Sequence, residues 1–231
     1  MSICIIPARG GSKRIPRKNI REFYGKPMIA WSIEVAKQSG LFDRIVVSTD
    51  DPEIAEIAKS YGAEIPFLRT PELADDFTGT IPVIADAIRR LRVLGHNDSE
   101  ICCIYPTAPF ITVHDLQDGF ERLKAGHWSF IFSATTYSFP IFRSFYKKKS
   151  GSLEMVFPEH FNTRSQDLIE AYHDAGQFYW GTAEAWLTET VIFGSNSTLV
   201  EIPRWRVQDI DNEVDWVSAE QIFMNLASKE T

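Results

Sequence analysis

Cysteine is scarce in this chain: Cys4, Cys102 and Cys103 are its only three. All lie in apolar, strand-like runs without metal-ligand spacing, and two adjacent cysteines do not easily close a structural bridge. They read as buried, reduced thiols, which excludes a disulfide-framed fold and points to a reducing compartment. Long hydrophobic runs are missing too; no stretch approaches the ~20 apolar residues of a membrane span. No secretory leader is expected, because the charges follow the first apolar run instead of preceding it. The expected location is the cytoplasm, with no membrane partner. Positive charge is in deficit: 24 Lys and Arg stand against 31 Asp and Glu, a net charge of −7. That argues against broad binding to nucleic acid or acidic lipid. Any anion must be held by a local concentration of cations. No Ser/His/Asp set or Cys/His pair points to a covalent intermediate.

What is present is a soluble-type composition, 44% hydrophobic and 24% charged over 231 residues. That length suits one large α/β domain, residues 1–231, with a full core. Strands are expected at 3–6, 44–48, 101–105 and 129–135, and helices at 27–38, 52–61, 80–94 and 112–124. Pro27 is expected to open the first helix and Gly40 to stop it. Asp51-Pro52 supplies an N-cap and a first-turn proline, and Thr112 with Asp115 a capping box. This alternation means βαβ units and a mainly parallel sheet flanked by helices. After Tyr137 the rhythm changes. A hairpin is expected over 142–157, with its Lys-rich turn at 147–151 read as a solvated edge. A strand at 177–181, a short helix at 183–190, a strand at 199–202 and a closing helix at 213–228 follow. Residues 137–170 read as an inserted arm.

The densest motif is Ile5-Ile6-Pro7-Ala8-Arg9-Gly10-Gly11-Ser12-Lys13-Arg14-Ile15-Pro16-Arg17-Lys18-Asn19-Ile20. Two glycines sit among five cations directly after the first strand. Glycine allows close approach of backbone to an anion, and successive N–H groups form an anion-binding nest. Arg and Lys add charge-assisted hydrogen bonds to phosphate. The run lacks the spacing of a P-loop and of a Gly-x-Gly-x-x-Gly turn. It reads as a triphosphate cradle or, on composition alone, as a basic surface turn; Ile20 and Phe23 favour a loop pinned to the core.

Three further groups follow strands or close the chain. In Gln208-Asp209-Ile210-Asp211, two carboxylates at i and i+2 point the same way on an extended segment. A divalent cation would relieve their repulsion, Mg²⁺ taking one or two carboxylates plus phosphates; Asp211 reads equally well as a helix cap. Asp75-Asp76 reads as a solvated turn. Thr49-Asp50-Asp51 and Tyr105-Pro106-Thr107-Ala108-Pro109 should meet the basic loop at the sheet's C-terminal rim, where ligands bind in such sheets.

The basic run resembles the signature of the cytidylyltransferases that activate eight- and nine-carbon keto sugar acids, and the similarity extends to about Trp216. The resemblance implies a Rossmann-like nucleotide-diphospho-sugar transferase fold. It implies attack of the sugar's anomeric hydroxyl on CTP, giving CMP-sugar and pyrophosphate for cell-surface or flagellar glycans. It places CTP on Ala8, Arg9, Gly10, Gly11, Ser12, Lys13, Lys18, Asn19, Arg69 and Thr80. Arg9 and Lys13 would be catalytic, together with Asp209 and Asp211 holding Mg²⁺. The sugar acid would meet Tyr105, Thr107, Arg164, His173, Gln177 and Tyr179, with Arg143 competing with Arg164 for its carboxylate. The arm would swap across a homodimer. Tyr105 replaces a glutamine of sialic acid synthetases, and Gln177 an alanine, which counts against sialic acid. Asp174-Ala175-Gly176-Gln177-Phe178-Tyr179-Trp180-Gly181 is similar to the pseudaminic acid branch. Sialic and legionaminic acid activation remain alternatives, as do a glycosyltransferase and a silent nucleotide-binding protein of the same fold.

Overall fold

The computed structural model describes residues 2–227. Its strands are β1 (Ser2–Pro7), β2 (Glu22–Phe23), β3 (Lys26–Pro27), β4 (Arg44–Ser48) and β5 (Glu100–Ile104). They continue with β6 (Phe130–Thr136), β7 (Phe145–Lys147), β8 (Leu153–Met155), β9 (Tyr172–Thr182) and β10 (Ser197–Glu201). The helices are α1 (Met28–Ser39), α2 (Pro52–Ser60), α3 (Thr80–Val93), α4 (Val113–Lys124), α5 (Ala183–Leu187) and α6 (Glu213–Ala227).

The central sheet has six strands in the order β10-β6-β9-β5-β1-β4. β1 pairs in parallel with β4 and β5, and β10 with β6, whereas β9 runs antiparallel between β5 and β6. The strands are continuous apolar runs because helices cover both faces. Alternation along β1 divides the core. Cys4 and Ile6 join Ile29 and Ile33 of α1, Ile54 of α2 and Leu116 of α4. Ile3 and Ile5 face the other layer, with Ile84 and Ile88 of α3 and Trp186 of α5. A third cluster joins Ile15 and Phe23 to Met28, Phe110, Ile210 and Trp216, so the basic loop is pinned against α6. The cysteines are buried and unpaired, and burial pushes their thiols up.

The local signals behave as their chemistry dictates. Asp51 caps α2 by accepting from Glu53 N and Ile54 N, and the Thr112–Asp115 capping box opens α4. Gly40 ends α1 in the left-handed conformation, φ +65°. Several expectations are corrected. Helix α1 starts at Met28, because Pro27 is held in a two-residue ribbon against Glu22. The hairpin shrinks to β7 and β8. Helix α5 stops at Leu187, and Ser228 of the closing helix lies outside the described residues. Strand β9 is eleven residues long, because it is bulged: Ser133 alone stands opposite Ala175–Phe178. Ser133 Oγ accepts from Gln177 N and Phe178 N, and Gly176 takes φ +62°. No described helix is long and apolar enough to cross a membrane.

Candidate active site

The loops after β1 and β5, the segment 69–80 leading into α3, and the irregular segment before α6 enclose a cleft of about 640 Å³. Arg9, Ser12, Lys13, Arg14, Lys18 and Asn19 line it from the basic loop, and Arg69, Thr78, Gly79, Thr80 and Val83 from the 69–83 segment. Tyr105 and Pro106 close one wall and Asp211 another.

The two loop glycines differ from the expected nest, since neither is among the residues with positive φ; the left-handed residue is Arg17, φ +57°. Gly10 is required for space. A Cβ there would meet Asp51 Oδ2 at 2.5 Å and Asp51 Cβ at 2.9 Å, whereas a Cβ on Gly11 meets nothing within 4 Å. Gly10 N donates to Asp50 Oδ1 (3.0 Å), which braces the loop from the end of β4. Ala8 is fully buried and its N–H donates to Ser48 O.

The cations of the loop take different partners. Arg17 bonds Asp51 and Glu53, so it braces α2 and holds the Asp51 carboxyl below its usual range. Arg21 pairs with Glu213 and lies over Trp216. Lys18 Nζ donates to Ile210 O (2.6 Å) and lies 3.7 Å from Asp211; burial lowers its pKa. Arg14 grips Asp211 with both ends of its fork, at 2.8 and 2.9 Å. Arg9 Nη1 donates to Asp75 O and Asp76 Oδ1, both at 2.7 Å, and Lys13 pairs with the other oxygen of Asp76. Asp76 is therefore no mere solvated turn: it neutralises the two cations expected to hold phosphate. Arg14 and Asp76 were absent from the expected site. Arg14 stood within the basic run, but nothing in the sequence paired position 14 with 211 or position 76 with 9 and 13.

Asn19 is buried and its Nδ2 donates to Arg9 O (2.9 Å), fixing the loop's closure. Arg69 is 6% exposed, bonds Ser48 through its Oγ and carbonyl, and forms no ion pair with a described residue. Burial lowers it to about 10. A buried guanidinium without a carboxylate is costly unless further acceptors reach it, and this one lines the cleft. Thr80 Oγ1 lies 2.6 Å from Tyr105 Oη.

Asp209 has no hydrogen bond or ion pair to its carboxylate among the described residues, and partial burial with the Asp211 charge pushes its pKa up. That is the signature of an incompletely neutralised pair. Together with Asp211 it offers the one or two carboxylates that Mg²⁺ takes alongside phosphate oxygens, so the donor set fits that ion.

Tyr105 is the one expected sugar residue on the cleft wall. Thr107 lies half-buried beyond it. Arg164 lies in the segment 137–170, paired with Asp167 (2.8 Å), and Arg143 is exposed there too. The His173 ring packs on Tyr137. Gln177 is buried; its Nε2 donates to Arg206 O (2.8 Å), while its Oε1 has no described partner. Tyr179 is buried and donates to Asp174 Oδ2 (2.5 Å). The structure does not bring these last residues into the cleft of a single chain.

The fold and cleft define an α/β protein with a basic loop that faces Asp211 across a cleft at the end of its parallel strands. Residues 3–209 match the cytidylyltransferase family model, and the chain belongs to that family. It is 46% identical over 222 residues to the pseudaminic acid cytidylyltransferase of Campylobacter jejuni, covering 96% of each chain. It is 32% identical over 225 residues to the CMP-N,N'-diacetyllegionaminic acid synthase of Legionella pneumophila, covering 96% of this chain and 95% of that one. Its fold matches that of CMP:2-keto-3-deoxy-manno-octonic acid synthetase complexed with CTP (TM-score 0.73, 14% identity, 97% and 99% coverage).

Proposed function

We propose that this protein transfers the cytidylyl group of CTP to pseudaminic acid, forming CMP-pseudaminic acid and pyrophosphate. The observation that carries the reading is the meeting of Arg9, Lys13, Arg14 and Lys18 with Asp211 in one cleft, at the rim where the parallel strands end, with the Asp209 charge acting on Lys18 from beside it. A 46%-identical relative of that activity supports the choice of sugar. Tyr105, an aromatic wall in place of a side-chain amide, supports it as well.

In this reading the basic loop binds the triphosphate, with Ala8, Gly10, Gly11 and Ser12 supplying backbone and hydroxyl contacts. Arg9 and Lys13 neutralise charge developing on the leaving pyrophosphate, a fixed electrostatic contribution. Asn19, Arg69 and Thr80 orient the cytidine. The sugar's anomeric oxygen forms a bond to the α-phosphorus, the bond to pyrophosphate breaks, and the hydroxyl proton is released. Asp209 and Asp211 would hold Mg²⁺, which when bound offsets phosphate charge and acidifies that hydroxyl. Most of the acceleration is positioning.

Tyr105 and Thr107 contact the sugar beyond β5, backed by His173, Gln177 and Tyr179 of β9. Arg164 reaches a sugar carboxylate only if residues 137–170 act as an arm across a homodimer, the rest of the chain forming one cytidylyltransferase domain. Exposed Phe139, Phe145, Leu153 and Phe161 on that arm give a second copy an apolar face. The test is pyrophosphate release from CTP with Mg²⁺ and pseudaminic, legionaminic or N-acetylneuraminic acid. Release with pseudaminic acid is expected. Release only with another acid keeps the reaction and overturns the sugar, and silence with all three overturns both.

A further inference from the structure

The turn from β4 into α2, Ser48-Thr49-Asp50-Asp51, holds both the basic loop and Arg69, though none of its four residues lines the cleft. Strand pairing puts Ser48 beside Pro7, at the point where β1 becomes the basic loop. The Ser48 carbonyl oxygen accepts from two donors, Ala8 N of the loop at 2.9 Å and Arg69 Nη2. A carbonyl oxygen has two lone pairs, and here one serves each side. Ser48 is buried, and its Oγ accepts from Arg69 Nε at 3.2 Å. Thr49 O accepts from Arg69 N at 2.8 Å, and Asp50 Oδ1 accepts from Gly10 N at 3.0 Å. Thr49 is buried too, and its Oγ1 accepts from Asp51 N at 3.1 Å, which closes the turn.

The grip on Arg69 is one-sided. A guanidinium is a rigid planar fork, so holding Nε and Nη2 on one edge also fixes its plane and the direction of the other edge. Arg69 Nη1 makes no hydrogen bond with a described residue, and the side chain lines the cleft. Its free edge is a set of donors aimed before any ligand arrives. A donor set in advance loses less freedom on binding than a swinging side chain.

The basic loop hangs from the same turn. Ala8 N is tied to Ser48 and Gly10 N to Asp50, so the backbone on both sides of Arg9 is fixed. The triphosphate belongs with that loop, and the base with Arg69 and the uncharged wall of Val83, Tyr105 and Pro106. The distance between the two halves of the site is thus set by the rigid end of a core strand.

We propose that Ser48 and Asp50 are positioning residues for the nucleotide: Ser48 aims Arg69 at the base, and Asp50 holds the phosphate loop in register with it. This rests on the cleft being the CTP site. The test is isothermal titration calorimetry of CTP and of inorganic triphosphate on the full chain, for the parent, Ser48→Ala, Asp50→Ala and Asp50→Asn. Ser48→Ala is expected to weaken CTP about tenfold, the size of one lost hydrogen bond to a charged group, and to leave inorganic triphosphate unchanged. Asp50→Ala is expected to weaken both ligands, and Asp50→Asn, which keeps the acceptor, to restore most of the loss. A merely loosened fold would weaken both ligands in Ser48→Ala as well. A double-mutant cycle with Arg69→Gln gives a second readout: the effect of Ser48→Ala on CTP should vanish once the guanidinium is gone. Melting temperatures check that each variant is folded; Asp50 is only half-buried, so its variants do not threaten the core. Equal losses for both ligands in Ser48→Ala, no loss for either, or effects that add to those of Arg69→Gln overturn the role of Ser48. Asp50→Asn binding as weakly as Asp50→Ala overturns that of Asp50. If the parent binds neither ligand, the CTP reading falls and the proposal with it. The expected pattern without pyrophosphate release supports the proposal and counts against the transfer reaction alone.

Discussion

Asp211 and Arg14 are 197 residues apart in sequence and form a two-pronged ion pair across the mouth of the cleft, at 2.8 and 2.9 Å. One partner belongs to the basic loop and the other to the carboxylate pair. A divalent cation at Asp209 and Asp211 must compete with Arg14. Replacing Arg14 by Gln is therefore expected to lower the Mg²⁺ concentration for half-maximal turnover, by about two- to fivefold for a pair this exposed. A Mg²⁺ titration of initial rates checks it; a half-maximal concentration that rises instead would show that Arg14 assists phosphate more than it blocks metal.

Asp76 plays the same part on the other side, holding Arg9 and Lys13 where a triphosphate would lie. Changing Asp76 to Asn keeps the shape and removes the charge. CTP is expected to bind a few-fold tighter, about three- to tenfold, with the largest gain at low salt, where exposed charges are least screened. Equal affinities across a salt series would mean that Asp76 leaves the cations without cost.

Asp209 to Ala is expected to lower turnover by about a hundredfold or more, the size of a lost electrostatic stabiliser. Circular dichroism should be unchanged, since the side chain supports no described contact. Its pKa is raised, so metal binding should weaken on acidification at a higher pH than for an ordinary carboxylate near ~3.9. A pH series of Mg²⁺ dependence reads this directly.

The two glycines of the loop separate space from contact. Gly10 to Ala forces a Cβ onto Asp51, the N-cap of α2, and is expected to cost about 1–3 kcal/mol of stability along with CTP affinity. Gly11 to Ala meets only open space, so stability should hold. Calorimetry of the Gly11 variant with CTP then tells whether phosphate passes that position: lost affinity means contact.

Arg206 and Asp115 form a nearly buried pair at 2.6 and 2.9 Å that fastens segment 204–207 to the start of α4. Burial acts to raise the Asp115 pKa, but the Arg206 and Thr112 bonds prevail and lower it. The stability it adds is thus complete above the unfolded carboxylate value near ~3.9 and is lost as pH falls through the lower folded value. Asp115 to Ala should cost about 3–5 kcal/mol at neutral pH, because it leaves Arg206 buried and unpaired. The difference from the parent should shrink in acid; denaturant melts at two pH values measure it.

Chain order and local chemistry determined a good deal by themselves. The apolar runs at 3–6, 44–48 and 101–105 dictate buried strands, because two helical layers must cover both faces of a parallel sheet. Asp51-Pro52 and Thr112-x-x-Asp115 dictate helix starts, because a side-chain oxygen beside unpaired N–H groups has few better uses. The basic run and the paired carboxylates concentrate opposite charges at two places in the chain, which is the ground for expecting a phosphate site. What only the tertiary structure decided is how those charges are shared. Arg17 goes to α2, Arg14 to Asp211, and Arg9 and Lys13 to Asp76, since ion pairs form between whichever groups the fold brings within 4 Å, and sequence separation carries no trace of that. The same holds for β9. Its reversed direction comes with its place between β5 and β6, and within its bulge Ser133 accepts two backbone N–H groups from a segment more than forty residues away. Across that bulge Tyr179 Oη donates to Asp174 five residues back along the strand, while Phe178, Tyr179 and Trp180 stay buried, a division that pairing across the sheet settles and the aromatic run does not.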